Sequence, residues 1–227
     1  MYKKIIVMRM QAKKVTIKHL DHPYIQEILT KLRAKTTQCF AFRQHLEEIG
    51  IFIAYEIARD LTYEEVLVET PLGVAKGLRL KDPIVVIGVL RAALPLVNGV
   101  LRVFKKAQLG IIAAKRIEDH RVNDNDFDVA IPYERTPDMN DKVVIIVDPM
   151  LATASTMIRI LSRVKRKWRP KKIIVVSIVA AKYGVERLLK EHPDINLYVV
   201  AIDNKLNGNG YIVPGLGDAG DRAFCTE

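Results

Sequence analysis

Between Val143 and Met157 the chain reads VVIIVDPMLATASTM, and these residue types at this spacing suit the binding of a phosphorylated sugar. A β-branched run ends at Asp148, a short loop of small and hydroxylated residues follows, and an amphipathic stretch begins. A buried strand, a turn and a helix N-terminus in that order form an anion site, because unpaired N–H groups and the helix dipole both point at the turn. Small side chains from Ala152 to Thr156 let backbone amides approach a phosphate closely, and the hydroxyls of Thr153, Ser155 and Thr156 add donors. Asp148 stands at the carboxyl end of the strand, where open α/β sheets place their ligands. A carboxylate repels phosphate and suits sugar hydroxyls or a metal ion instead. Taken alone, Asp148 would serve equally well as a helix cap. Beside this loop the ligand role is the better reading.

The elements that must position this loop are legible as apolar runs. Five short ones occur, at Ile84 to Ile87, Leu109 to Ala114, Val143 to Val147, Ile173 to Val176 and Leu197 to Ile202. Helical segments lie between several of them: about Pro95 to Lys106, a stretch with Met157, Ile160, Leu161, Val164 and Trp168 on one face, and another near Tyr183 to Lys190. Unbroken apolar strands alternating with helices predict an α/β fold, with a mostly parallel central sheet flanked by helices on both faces. Upstream, Asp21-His22-Pro23 marks a helix start with Asp21 as N-cap. Phe42, Leu46, Ile49, Ile53 and Ile57 mark a buried helix face, and Pro71-Leu72-Gly73 between two apolar runs signals a β-hairpin. Glu118 to Asp128 is polar and reads as a mobile loop or hairpin near an active site, or as a surface excursion. From Asp203 to Glu227 the chain is glycine-rich and aperiodic, yet Tyr211, Ile212, Val213 and Leu216 argue that it is ordered.

The 227 residues suit one α/β domain spanning 1–227, with 1–14 as a loosely ordered N-terminal extension. No apolar run reaches the length of a membrane span, and the N-terminal apolar stretch is too short for a signal peptide. A cytoplasmic protein without a membrane partner is expected. The two cysteines, Cys39 and Cys225, lie far apart and read as reduced, unligated thiols. No His/Cys cluster has metal-ligand spacing, and the scattered histidines read as structural or exposed. A net charge of +10 admits nucleic-acid binding. Trp168 is the one aromatic residue in the basic run from Arg159 to Lys172 and no known nucleic-acid motif accompanies it, so a solvated surface and pockets for polyanionic substrates are the better reading, with no nucleic acid expected.

Three motifs together resemble those of the uracil phosphoribosyltransferases, in the form found in the archaeal branch. DPMLATAST (Asp148 to Thr156) is similar to the family's loop for phosphoribosyl diphosphate (PRPP), LRAALP (Leu90 to Pro95) to its diphosphate loop, and GYIVPGLGDAGDR (Gly210 to Arg222) to its uracil-binding segment. Many family members have two glycines where this chain has Ala154 and Ser155, and a glycine in place of Ala93. The resemblance implies a phosphoribosyltransferase-type fold, with a β-hairpin and N-terminal helical extension and an irregular C-terminal base-binding segment. It implies transfer of ribose 5-phosphate from PRPP to N1 of uracil, giving UMP and diphosphate.

The family's site residues map onto this chain one by one. The resemblance assigns Arg91, Arg116, Asp148 and Asp218 to catalysis, and the same four with Pro149, Met150, Leu151, Ala152, Thr153, Ala154, Ser155 and Thr156 to PRPP. It assigns Tyr211, Ile212, Gly217, Asp218 and Ala219 to uracil. The arginines would neutralise the diphosphate, a bidentate task for which a guanidinium is suited. Asp218 would orient the metal–PRPP complex or help uracil lose its N1 proton. Mg²⁺ would enter bound to PRPP, with no dedicated protein ligand cluster. Main-chain groups would read O2, N3–H and O4 of uracil, and cytosine would leave two mismatched pairs, a discrimination on the order of a hundredfold or more. A non-proline cis peptide is expected in the Leu90-Arg91-Ala92-Ala93 loop. The resemblance further implies GTP activation and CTP inhibition, with Arg33 and Arg43 as candidate effector ligands, and a homodimer or homotetramer. An RNA-binding pyrimidine regulator on the same fold is the alternative. Its usual paired acidic residues are missing, since Pro149 follows Asp148.

Overall fold

The computed structural model describes residues 5–6, 16–123 and 126–226. Its elements begin with β1 (Ile5–Ile6), β2 (Thr16–His19), α1 (Pro23–Arg33), α2 (Cys39–Ala58) and the pair β3 (Tyr63–Thr70) and β4 (Gly73–Leu80). The middle of the chain holds β5 (Ile84–Leu90), α3 (Leu94–Val103), β6 (Gln108–Asn123), β7 (Asp126–Arg135), β8 (Val143–Val147) and β9 (Met150–Leu151). The last part holds α4 (Ser155–Lys167), β10 (Lys172–Ala181), α5 (Lys182–Glu191), β11 (Asn196–Asp203), β12 (Lys205–Leu206), β13 (Ile212–Val213) and α6 (Ala219–Phe224). The rest of the N-terminal extension expected over 1–14 lies outside the described residues.

The five apolar runs are neighbours in one nine-stranded sheet, ordered β1-β2-β11-β10-β8-β5-β6-β7, with the two-residue β9 added beside β10. From β2 to β6 every pairing is parallel, and the edge strands β1 and β7 are antiparallel. Register explains why the runs are unbroken. Ile87, Ile146, Val175 and Leu197 form one row across the sheet, and all four sit in the core shared with α4 and α5. The adjacent row, Val86, Ile145 and Ile174, sits in the opposite core with α1, α2, α3 and α6. Successive side chains of a strand point to opposite faces, so a sheet covered on both sides needs apolar residues at every position.

Three expectations are refined. His22, not Asp21, caps α1, accepting from the Tyr24 N–H at 3.2 Å with Pro23 in the first turn. The described part of the Glu118 to Asp128 segment belongs to β6 and β7, which pair antiparallel as far as Asn123 opposite Asp126. The hairpin expected around Pro71-Leu72-Gly73 is β3–β4, a separate two-stranded ribbon.

Helix α3 follows the Leu90–Ala93 turn directly, so its placement sets that of the turn. It is wedged against α2 at two glycines. A Cβ on Gly99 would lie 1.9 Å from the Glu47 carbonyl oxygen, and one on Gly50 would lie 2.3 Å from that of Leu96. The helices touch backbone to backbone, and only hydrogen fits between them. Gly99→Ala is therefore expected to cost about 1–3 kcal/mol by overpacking. Thermal unfolding checks this, and an unchanged melting temperature would contradict so close a crossing.

Candidate active site

Strands β5 and β8 run side by side and end at the same edge, with Gly88 opposite Val147. The turn after β5 and the loop after β8 therefore emerge together. The C-terminal segment folds over both, and the three enclose a cleft of about 570 Å³. Arg91 and Ala92 line it from the first turn, and Asp148, Met150, Ala152 and Thr156 from the second loop. Tyr211, Ile212 and the run Gly217 to Gly220 line it from the C-terminal segment. The peptide between Leu90 and Arg91 is cis, as the resemblance implied for this loop.

The loop after β8 has two unequal halves. Pro149 accepts the N–H groups of Ile178 and Val179 at 3.0 and 3.1 Å, and Met150 and Leu151 pair with β10 as β9. This half is strapped to the sheet, and Pro149 and Leu151 are buried away from the cleft. The Asp148 carboxylate accepts from the Met150 N–H at 3.4 Å and borders the cleft, seven positions before α4 begins. It is not a helix cap. That position belongs to Ala154, in the left-handed region at φ 67°, which gives α4 no side-chain cap hydrogen bond. The Ser155 N–H donates to the Thr153 hydroxyl at 3.5 Å, and with no acidic residue in the first turn the positive end of the α4 dipole suits an anion.

The three loop hydroxyls divide differently from the expectation. Thr153 and Ser155 are buried, at 1% and 5% exposure, with their oxygens 3.0 Å apart. The left-handed residue between them turns both side chains to one side, away from the cleft. Thr156 alone of the three lines it. Arg116 lies on β6 opposite Val129, two residues past the cleft-lining Ala114, and its side chain lies outside the described residues.

The C-terminal segment is held by arginines. Arg33 grips Asp203 with both terminal nitrogens at 2.8 Å and donates to the Gly215 carbonyl at 3.0 Å, while the Gly215 N–H donates back to Asp203 at 2.9 Å. Burial pushes the Asp203 carboxyl up, but the Arg33 fork and the Gly215 N–H outweigh it and hold it below the ordinary carboxylate range. Arg222 donates to the carbonyls of Leu32, Leu216 and Ala34 and stacks over Phe42 at 4.3 Å. Arg43 donates to the Ala223 carbonyl at 2.6 Å. Arg33 and Arg43, expected on the resemblance to be effector ligands, are thus engaged inside the chain, because the tail comes back over the ends of the two N-terminal helices. Asp218 caps α6, accepting from the Gly220 and Asp221 N–H groups at 2.8 and 3.0 Å. Arg91 pairs with Asp221 at 2.8 Å.

The cysteines overturn the expectation of free thiols. Cys39 at the start of α2 and Cys225 at the end of α6 are joined in a disulfide that spans 186 positions, with Cα atoms 5.8 Å apart. Separation in sequence says nothing about distance once the tail has folded back.

Comparison with known proteins fits this geometry. The profile of the uracil phosphoribosyltransferase family matches residues 19–226. The chain belongs to the uracil phosphoribosyltransferase family. It is 49% identical over 212 residues to the uracil phosphoribosyltransferase of Sulfurisphaera tokodaii, covering 90% of this chain and 97% of that one. It is 45% identical over 213 residues to the uracil phosphoribosyltransferase of Pyrobaculum islandicum, covering 92% and 99%. Among solved structures, the AQ2163 protein from Aquifex aeolicus superposes with a TM-score of 0.85 at 34% identity, covering 93% of this chain and 99% of that one.

Within this cleft, sequence reasoning missed Asn209, Asp221 and Gly220. Asn209 and Gly220 line the cavity, and Asp221 holds Arg91. All three lie in or beside GYIVPGLGDAGDR, so the motif itself was the available signal. Among the described residues, no group of three or more His, Cys, Asp or Glu side chains is arranged to hold a metal ion, and no helix is long and apolar enough to cross a membrane.

The disulfide and the arginine clasp secure the same segment. Cys39→Ser, or reduction of the wild type, is expected to destabilise the protein by about 2–5 kcal/mol, because the closed loop is long. Thermal unfolding with and without reductant checks this, and reductant should leave the Cys39→Ser variant's melting temperature unmoved.

Proposed function

We propose that this chain transfers ribose 5-phosphate from PRPP to N1 of uracil, releasing UMP and diphosphate in pyrimidine salvage. The convergence of the LRAALP, DPMLATAST and GYIVPGLGDAGDR segments on one cleft carries this reading. In the reaction the ribose C1–O bond to diphosphate breaks, the N1–C1 bond forms, and uracil gives up its N1 proton. Positive charge develops on the ribose and negative charge on the leaving group, so positioning and charge stabilisation are the main tasks.

The chain's groups divide these tasks. Amides at the start of α4 and the Thr156 hydroxyl hold the 5-phosphate. Asp148 takes the ribose hydroxyls. Arg91 leaves Asp221 for the diphosphate, where its fork is better matched in charge. Arg116 supports it from β6. Asp218 sets one wall of the base site by capping α6, which supports a positioning task. Main-chain groups of Ile212, Gly217 and Ala219 complement the uracil edge, beside the Tyr211 ring. The Asp148 carboxylate borders the cleft and suits a metal carried in on the diphosphate. Mg²⁺ bound there would screen the charge of the phosphate oxygens. A GTP or CTP effector at Arg33 or Arg43 would displace their contacts with Asp203, Gly215 and Ala223.

Formation of UMP from labelled uracil, PRPP and Mg²⁺, with cytosine and hypoxanthine in parallel, tests the reading. Uracil-specific turnover is expected, with kcat/KM falling about a hundredfold or more in Asp148→Asn and in Arg91→Ala. Absence of turnover with every base, together with salt-sensitive RNA capture on filters, would favour the regulator instead.

We further propose that the β3–β4 ribbon joins two copies. A lone two-stranded ribbon is marginal in water. By register, Leu67, Val74 and Leu78 share one face of this one, exposed by 74%, 68% and 72%. Leu67→Lys combined with Leu78→Lys is expected to yield monomers in sedimentation velocity where the wild type is a dimer or tetramer. An unchanged assembly would remove the ribbon from the interface.

A further inference from the structure

Helix α5 lies against the back of the phosphate loop, on the side away from the cleft. Its first turn is pressed onto the loop backbone, since a Cβ on Gly184 would lie 2.1 Å from the Ala152 carbonyl oxygen. One turn later, Arg187 reaches the same loop. Its Nη1 donates to the Thr153 carbonyl at 3.0 Å and to the Ser155 hydroxyl at 2.9 Å. The Ser155 hydroxyl in turn meets that of Thr153 at 3.0 Å, and both residues are almost fully buried. One guanidinium nitrogen thus ties together the two residues that flank Ala154.

Ala154 is the conformational problem of the loop. It is not glycine, yet it adopts φ 67°, a region that L-residues with a Cβ occupy only when the surroundings impose it. That conformation leads the chain into α4, whose second residue, Thr156, lines the cleft. The Arg187 network grips the chain immediately before and after it, and carries a positive charge behind the cradle.

We propose that Arg187 is a positioning residue for the 5-phosphate: through Ser155 and the Thr153 carbonyl it holds Ala154 left-handed and so presents the α4 amides to the phosphate. This rests on the reading of the cleft as a phosphoribosyl site. Three properties follow. The contribution acts on phosphate-bearing ligands and spares uracil. It depends on Ser155. Its loss is offset where residue 154 has no Cβ.

Ribose 5-phosphate binding by titration calorimetry, with KM for PRPP and for uracil measured separately, tests it in wild type, Arg187→Met, Ser155→Ala and the double variant. Arg187→Met is expected to weaken ribose 5-phosphate binding and raise the PRPP KM about tenfold, with the uracil KM within about twofold; because the two side chains act as one unit, Ser155→Ala should add little to it. Ala154→Gly placed on Arg187→Met should recover at least about threefold of the lost affinity, since glycine takes positive φ freely. Wild-type binding that Arg187→Met leaves within twofold would overturn the proposal, as would equal losses for PRPP and uracil without rescue by Ala154→Gly. If Arg187→Met does not fold, Ser155→Ala must itself weaken ribose 5-phosphate binding selectively, and unaltered binding there would overturn it. Wild type that binds no ribose 5-phosphate would overturn the phosphoribosyl reading as well, a result distinct from loss in the variants alone.

Discussion

Burial of β5, β8 and β10 on both faces is the constraint on which the rest of the structure depends. Ile84 to Val89, Val143 to Val147 and Ile173 to Ala181 expose almost nothing, so their backbone groups must pair laterally and in register. Parallel pairing then brings these three strands out at the same edge. The turn after β5 and the loop after β8 are neighbours for this reason alone. A one-residue slip would exchange the two faces of β8 and move Val144 and Ile146 out of the α4–α5 core.

The edge by itself is an open shelf. It becomes a cleft because the C-terminal segment, with little periodic structure of its own, is pinned across it. Arg33, Arg43 and Arg222 make most of that clasp by donating to carbonyls and to Asp203, and the Cys39–Cys225 disulfide closes the far end. Arginine suits this task because its planar fork satisfies several acceptors at once and remains charged when partly buried. The same clasp ties the ends of α1 and α2 to the C-terminal wall of the cleft.

The phosphate loop shows how unlike roles arise from similar residues. Thr153, Ser155 and Thr156 look equivalent as hydroxyl donors, yet two are buried against each other and Arg187, and one faces the cleft. Under the proposed function, donation to the 5-phosphate falls mainly to backbone amides at the start of α4. A backbone cradle depends on conformation more than on side-chain identity, which is why Ala154 at positive φ, supported from α5, matters as much as any polar group.

Much of this was legible in the sequence, for a definite reason. The β-branched runs, the helix faces and the ribbon around Pro71-Leu72-Gly73 are local consequences of hydrophobic period and turn chemistry. The three motifs are contiguous stretches, so the family and the cleft residues Arg91, Asp148, Thr156 and Ile212 could be named in advance. The sequence alone determined the class of fold and the chemistry available at each loop. It could not assign partners across long separations. That Arg33 meets Asp203, that Arg43 meets Ala223, that Cys39 meets Cys225 and that Arg187 meets Ser155 was decided by the tertiary structure, because each contact joins elements whose proximity depends on strand order and on the path of the tail. Periodicity records which face of an element is buried, but not which distant residue comes to cover it.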